Sequence, residues 1–294
     1  LGILLVEAAA MFVLYPVAFA TVARLDLSIH PARSITIITL FGGVASTIFW
    51  PLNLALYENF GWEMTWIILG LGLLVICVPI HASVLRGSNG AAANSTVAHR
   101  DGWTPLAKDQ HKRAMIWVTT SFVLTSYAMG GVMIMWVVNT EDLGHGAAIA
   151  AIAGAVIGPF KTIGRFAQLF INRAMHPRHI YLLSLSLMLG GLFVLLTLGF
   201  TVPGVMLAAA LYGMGDGINT IASGTLPLAL FGEKNYGTRL GWINFVRMGF
   251  NASAPFVFAL ITQLFGGWIS FAAMALALLF ALATYTMIPV PHRR

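Results

Sequence analysis

Nine apolar segments follow one another along this chain of 294 residues, at 1–24, 34–57, 62–85, 114–138, 147–171, 180–200, 204–230, 240–265 and 268–289. Each runs for about 20 to 27 residues, enough for a helix to cross a hydrocarbon core of ~30 Å. Strands cannot span a bilayer singly, because their backbone groups would find no partners there, so the segments are read as helices. The fold class is therefore all-α and polytopic. A composition of 59% hydrophobic and 9% charged residues, with a mean hydropathy of +0.85, is far from soluble norms and agrees.

The connections alternate in charge. Arg24 and Arg33, then Arg86, Arg100, Lys108, Lys112 and Arg113, then Arg173 and Arg178, then Lys234 and Arg239, and last Arg293 and Arg294 lie on one side, which holds 13 of the 16 basic residues. The other side carries Glu58, Glu63, Glu141 and Asp142 and no base. The positive-inside rule puts the basic side and the C-terminus in the cytoplasm, and Trp62, Trp66, Trp136 and Trp268 gather at the outer ends of their spans. The net charge of +6 thus reflects topology and not a nucleic-acid surface. One cysteine, Cys77, leaves neither a disulfide framework nor a cysteine metal site.

The remaining bases, Lys161, Arg165 and Arg247, fall inside spans, and so does Asp216. A charge at bilayer centre costs several kcal/mol, so such residues face protein or a watery cavity and need partners from other helices. Tyr212, Asp216, Asn219 and Ser223 recur at four, three and four residues and form one stripe, expected to line a cavity. Gly213 and Gly217 form a small-x-x-x-small step where another helix can approach closely. Counting 1.5 Å per residue puts Lys161 about 21 Å, Asp216 about 18 Å and Arg247 about 20 Å from the outer end. That common level predicts a pairing of Asp216 with Lys161 and Arg247 as a second cation nearby. Asp216 has a structural alternative, a buried residue without a transport role, and Arg165 is open between a functional cation and one that snorkels to the inner face.

Gly154, Gly158, Lys161, Arg165, Gln168 and Asn172 share one helical face. Asn244, Arg247 and Asn251 share another, and Thr39, Gly43, Ser46, Trp50 and Asn53 a third. These read as cavity walls, or equally as interhelical hydrogen bonds. Glu7, in the first span, is either a proton site or a residue hydrated from outside. His176 and His179 form an H-x-x-H beside Pro177, which without further ligands is a solvated loop and not a zinc site. No nucleophile constellation or phosphate loop is found, so neither a cofactor nor an enzymatic site is expected.

The basic connection 87–113 contains GSNGAAANSTVAHRDG and reads as a linker between 1–86, with three spans, and 114–294, with six. Pro51 begins PLNLALYENFGW and Pro255 begins PFVFALITQLFGGW, an offset of 204 residues between segments of the same direction. The repeat implies two related units of six helices, the first missing three before Leu1, so the chain is expected to be part of a longer protein. Two such halves joined by a basic loop resemble the major facilitator superfamily, bacterial type. Pro31-Ala32-Arg33 leading into GGVASTIFWPL is similar to that family's passage from helix four to five, and LPLALFGEKNYGTRLG to a loop between helices ten and eleven. The loop motif after helix eight departs, with Gln168 and Asn172 where glycine and aspartate would stand, and Trp50-Pro51 stands where antiporters have glycine-proline.

The resemblance implies helices four to twelve of a twelve-helix fold that rocks around a midplane site. It implies a multi-pass protein of the bacterial inner membrane, a monomer in the lipid bilayer without a nucleic-acid partner. The expected function is secondary transport of a small organic anion, favoured by Lys161, Arg165 and Arg247, or of an amphipathic metabolite or drug, coupled to protons through Asp216. Asn219, Asn251, Tyr212, Trp50 and Glu7 complete the candidate substrate and coupling residues. The alternatives are a membrane-embedded binding or sensor protein on the same fold and an inactive fragment.

Overall fold

A computed structural model of the chain describes residues 15–23, 31–87, 105–171 and 175–289. The described residues are helical throughout apart from short connections. The elements are α1 (Tyr15–Val22), α2 (Pro31–Gly72), a π-helical turn (Leu73–Cys77) and α3 (Val78–Gly87). After the linker come a 3₁₀ turn (Lys108–Gln110), α4 (His111–Asp142), α5 (Ala147–Ile171), α6 (Pro177–Leu198), α7 (Val202–Phe231), α8 (Tyr236–Asn251), α9 (Ala254–Phe265) and α10 (Gly267–Thr286). Seven stretches among the described residues are long and apolar enough to cross a membrane. Of the first expected span only α1 is described, and Glu7 lies outside the described residues.

Three boundaries differ from the sequence reading, each for a local reason. The second and third expected spans form one assigned helix, α2, interrupted at Gly61, whose φ of 75° and ψ of 172° no helix contains. The eighth expected span divides into α8 and α9, because Pro255 has no N–H to give Asn251 and the chain tightens, Ser253 N donating to Phe250 O. The linker expected over 87–113 is shorter, since α4 already begins at His111 and takes Lys112 and Arg113 into its first turn.

Gly266 repeats the Gly61 conformation, with φ 85° and ψ 167°, between Phe265 and Gly267. Only glycine reaches this region without a Cβ clash, so the Phe-Gly-Trp and Phe-Gly-Gly-Trp stretches interrupt the helix in the same way at both places. Beside Gly266 the end of α4 is stapled to the start of α10: Gly267 N donates to Asp142 Oδ2 at 2.8 Å and Thr262 Oγ1 to Asn139 Oδ1 at 2.7 Å.

Helix α7 is the axis of the helices that follow the linker, packed on α6, α5, α4 and α8, with α10 closing the ring against α4 and α6. Glycines set its distance from its neighbours. A Cβ on Gly213 would strike Ile157 O and one on Gly217 would strike Lys161 O, both in α5, while Gly164 of α5 leaves room for Met214 O. On the other flank Gly215 and Gly191 do the same between α7 and α6. The small-x-x-x-small step thus works as a seam of backbone-to-backbone contact.

Two apolar clusters follow. The larger runs from Leu106 onward and centres on Leu185, Met188, Leu192, Phe271, Met274 and Leu278. The smaller joins Phe19, Ala23 and Ile35 from before the linker to Ile221, Leu228, Tyr236 and Leu240 from after it. Most of the seven stand within a few residues of the chain's basic connections, and the cluster is an apolar plug toward that end. Phe19 sits on Gly224, and the Tyr236 hydroxyl donates to Gly224 O at 2.9 Å.

Gly217→Ala is expected to wedge α5 from α7 and destabilise the protein by about 1–3 kcal/mol. Gly158→Ala, one turn before Lys161 and with nothing within 4 Å of its added Cβ, should be neutral or gain up to about 1 kcal/mol of helix propensity. Thermal unfolding in detergent compares the two.

Candidate functional site

The seam delivers a charged pair. Lys161, on α5, donates to Asp216 Oδ2, on α7, at 2.8 Å. The two ends are unequal, since the Lys161 side chain is 30% exposed and that of Asp216 only 9%. The second carboxylate oxygen, Asp216 Oδ1, is buried with no hydrogen-bond donor. Tyr212 Oη and Asn219 Oδ1, a turn to either side along α7, are likewise buried and unmatched. A buried polar atom without a partner is rare enough to mark a place where a proton or a ligand group completes the set.

The stripe does not face an open cavity as expected. Tyr212, Asp216 and Asn219 are all buried, because α7 is enclosed by its glycine-mediated contacts, and Ser223 turns its hydroxyl back to Thr220 O at 2.8 Å. Asn219 reaches α4, its Nδ2 donating to Met129 Sδ at 3.2 Å. Asn251, at the α8 break, lies against Gly130, the next residue of α4. Two amide side chains from separate helices thus converge on the Met129-Gly130 step.

The face of α5 that carries Lys161 divides among three neighbours. Gly154 lies against Trp136 of α4, Lys161 meets α7, and Arg165 turns toward α2. Arg165 does not snorkel: it is 5% exposed and its Nη1 donates to the backbone carbonyl of Thr39 at 2.9 Å. Arg247 makes no ion pair with Asp216. It makes neither an ion pair nor a hydrogen bond among the described residues, and its electrostatic neighbour is Tyr181 of α6. The side chain of Trp50 and the whole of Glu7 and Asn172 lie outside the description.

Two polar groupings had no clear signal in the sequence. Ser121 and Thr125 of α4 hold the Tyr181 hydroxyl at 2.8 and 3.0 Å, and Ser121 also donates to Ala281 O of α10. Their four-residue spacing was visible, but nothing pointed to a tyrosine 60 positions away. Thr39 O, a backbone acceptor, leaves no trace in a sequence at all.

His176, taken above as part of a solvated loop, is buried and caps α6: its Nδ1 accepts from Arg178 N at 3.0 Å. Burial, reinforced by the charges of His179 and Arg178, pushes its pKa from 6.5 down to about 4. The unfolded chain therefore binds more protons between these values, and this cap's contribution, full above pH 6.5, is lost as pH falls through 4. His176→Asn should flatten that part of the stability–pH curve, while His176→Ala should cost about 1 kcal/mol at neutral pH, both read from melting temperature against pH.

For the pair itself, Lys161→Gln leaves the more buried charge, Asp216, uncompensated and is expected to destabilise by about 3 kcal/mol. Asp216→Asn leaves an ammonium that reaches solvent, and the loss should be visibly smaller in denaturant titrations.

No curated protein matches this chain. The family model of the Major Facilitator Superfamily matches residues 2–255, which takes in every element from α1 to the start of α9 and the whole of the Lys161–Asp216 site. A paired acid and base on a glycine seam inside a bundle of membrane-length helices is what the match covers, and the chain belongs to the Major Facilitator Superfamily, whose members are multi-pass membrane proteins that perform secondary transport of small molecules and are not enzymes.

Proposed function

We propose that the chain carries a small organic anion across the membrane, with protons as the coupling ion and Asp216 as the coupling site. The observation that carries this is the Lys161–Asp216 bond of 2.8 Å beside an excess of positive charge within the spans. Within the described spans the cations Lys161, Arg165 and Arg247 outnumber the single mid-span carboxylate of Asp216, and Arg247 has no ion-pair partner among the described residues. Leaving a cation unpaired in hydrocarbon is expensive, and an anionic solute that enters between the helices removes that cost.

Coupling follows from competition. A proton on Asp216 and the ammonium of Lys161 both neutralise the same carboxylate, so protonation releases Lys161 and an anion can take its place. A conformational equilibrium biased by the intact pair then ties proton binding to opening on one side. Two units, 1–86 and 114–294, moving against each other around this site supply the opening. The matching backbone conformations of Gly61 and Gly266 support that division, because they put the same interruption at the same place in each repeat. The basic side is assigned to the cytoplasm of a bacterial inner membrane, with the protein acting as a monomer.

Asp216→Asn in proteoliposomes is expected to abolish the pH dependence of flux. Asp216→Asn combined with Lys161→Gln should restore folding without restoring coupling. Flux of radiolabelled organic anions, measured with and without an imposed pH gradient, decides the matter. An unchanged pH profile in the single variant makes Asp216 structural, preference for amphipathic cations removes the anion, and saturable binding without flux makes the protein a sensor.

A further inference from the structure

Along the interface between α2 and the helices after the linker, three kinds of contact are stacked inward from the basic end. The first is the apolar plug, where Ile35 and Phe19 lie against Gly224. One turn of α2 further in, at Thr39, Arg165 Nη1 donates to the backbone carbonyl at 2.9 Å. One turn further along α5 stands Lys161, bonded to Asp216. Of Lys161, Arg165, Asp216 and Arg247, Arg165 is the one whose hydrogen bond crosses from α5 to α2.

We propose that Arg165 is a latch between α2 and α5, closed when the basic end is sealed and broken each time it opens, which ties the state of the Lys161–Asp216 pair to the plug. The proposal rests on the transport reading above for its place in a cycle, though not for its geometry. Arg165 on this view is a positioning residue and not a substrate ligand.

The local construction fits a bond made to be broken. The Thr39 carbonyl has a second lone pair free after its helical bond, and the Thr39 hydroxyl does not compete, since it donates to Thr36 O at 2.8 Å. Gly43, one turn on, leaves the groove in which the guanidinium lies: an added Cβ would come 2.9 Å from Arg165 Nη1. The guanidinium is buried, its Nε has no hydrogen-bond partner, and it is matched by a carbonyl in place of a carboxylate. A guanidinium held this way gains water as soon as α2 and α5 part at the basic end, so opening is not opposed by the loss of a full ion pair. Because Lys161 and Arg165 are one turn apart on a stiff helix, a shift of α5 that frees Lys161 from Asp216 also moves the guanidinium relative to Thr39.

The test is thiol accessibility in the full-length protein in detergent, on a Cys77→Ser background with Leu228→Cys in the plug as reporter and a charged maleimide as probe. Arg165→Ala is expected to raise the labelling rate about tenfold, and Arg165→Lys, which keeps a donor but not the planar fork, by less. Gly43→Val should raise it comparably, since it pushes the guanidinium from the carbonyl without removing a charge, and it carries the test if Arg165→Ala fails to fold. Unchanged labelling in Gly43→Val overturns the latch, as does a lowered melting temperature in Arg165→Lys without any gain in labelling. The assay uses no substrate, so absence of flux in proteoliposomes would defeat the transport reading and leave the latch standing or falling on labelling alone.

Discussion

The glycine seam between α5 and α7 is the contact on which the rest of the site depends. Gly213 and Gly217 bring the backbone of α7 against the carbonyls of Ile157 and Lys161. Apolar side chains confer little preference for one another over lipid tails, so helices in hydrocarbon associate through such close van der Waals contact. The approach also sets the reach of side chains that leave the seam: Lys161 contributes a carbonyl to it and sends its ammonium around it to Asp216. A wider spacing would leave a carboxylate buried without a cation.

The charges inside the spans form a graded series. Asp216 and Lys161 neutralise each other, Arg165 is matched by a carbonyl dipole, and Arg247 has Tyr181 as its electrostatic neighbour and no hydrogen bond among the described residues. Each step down leaves more unbalanced charge for something else to compensate. The series therefore runs from a neutralised pair, through a cation held by a backbone dipole, to a cation with no ion-pair partner among the described residues.

Packing rigidity is unevenly distributed around this series. Among the described residues the helices from α4 onward share one continuous apolar core, whereas α1 and α2 pack on α5, α7 and α8 with a smaller apolar cluster and the Arg165 contact. A boundary with a thin apolar seal and one hydrogen bond from a charged side chain separates more readily than one closed by a core. At Gly61 and Gly266 the helices are interrupted by a backbone conformation reserved to glycine.

Much of this was determined by the sequence alone. Nine apolar segments and the sidedness of the bases dictate a polytopic helical bundle, since hydrocarbon tolerates few other arrangements of a backbone. The pairing of Lys161 with Asp216 was legible because two opposite charges at one depth in a bilayer have few alternatives to each other. The same reasoning set Arg247 at their level, but it makes no ion pair with them, because depth fixes a residue's level and not its direction around the helix. The burial of Tyr212, Asp216 and Asn219, the turn of Arg165 toward a backbone carbonyl and the capping role of His176 were decided by tertiary structure. Each depends on which helix lies opposite, and that is set by the close packing of glycines and by backbone atoms that every sequence possesses and none displays.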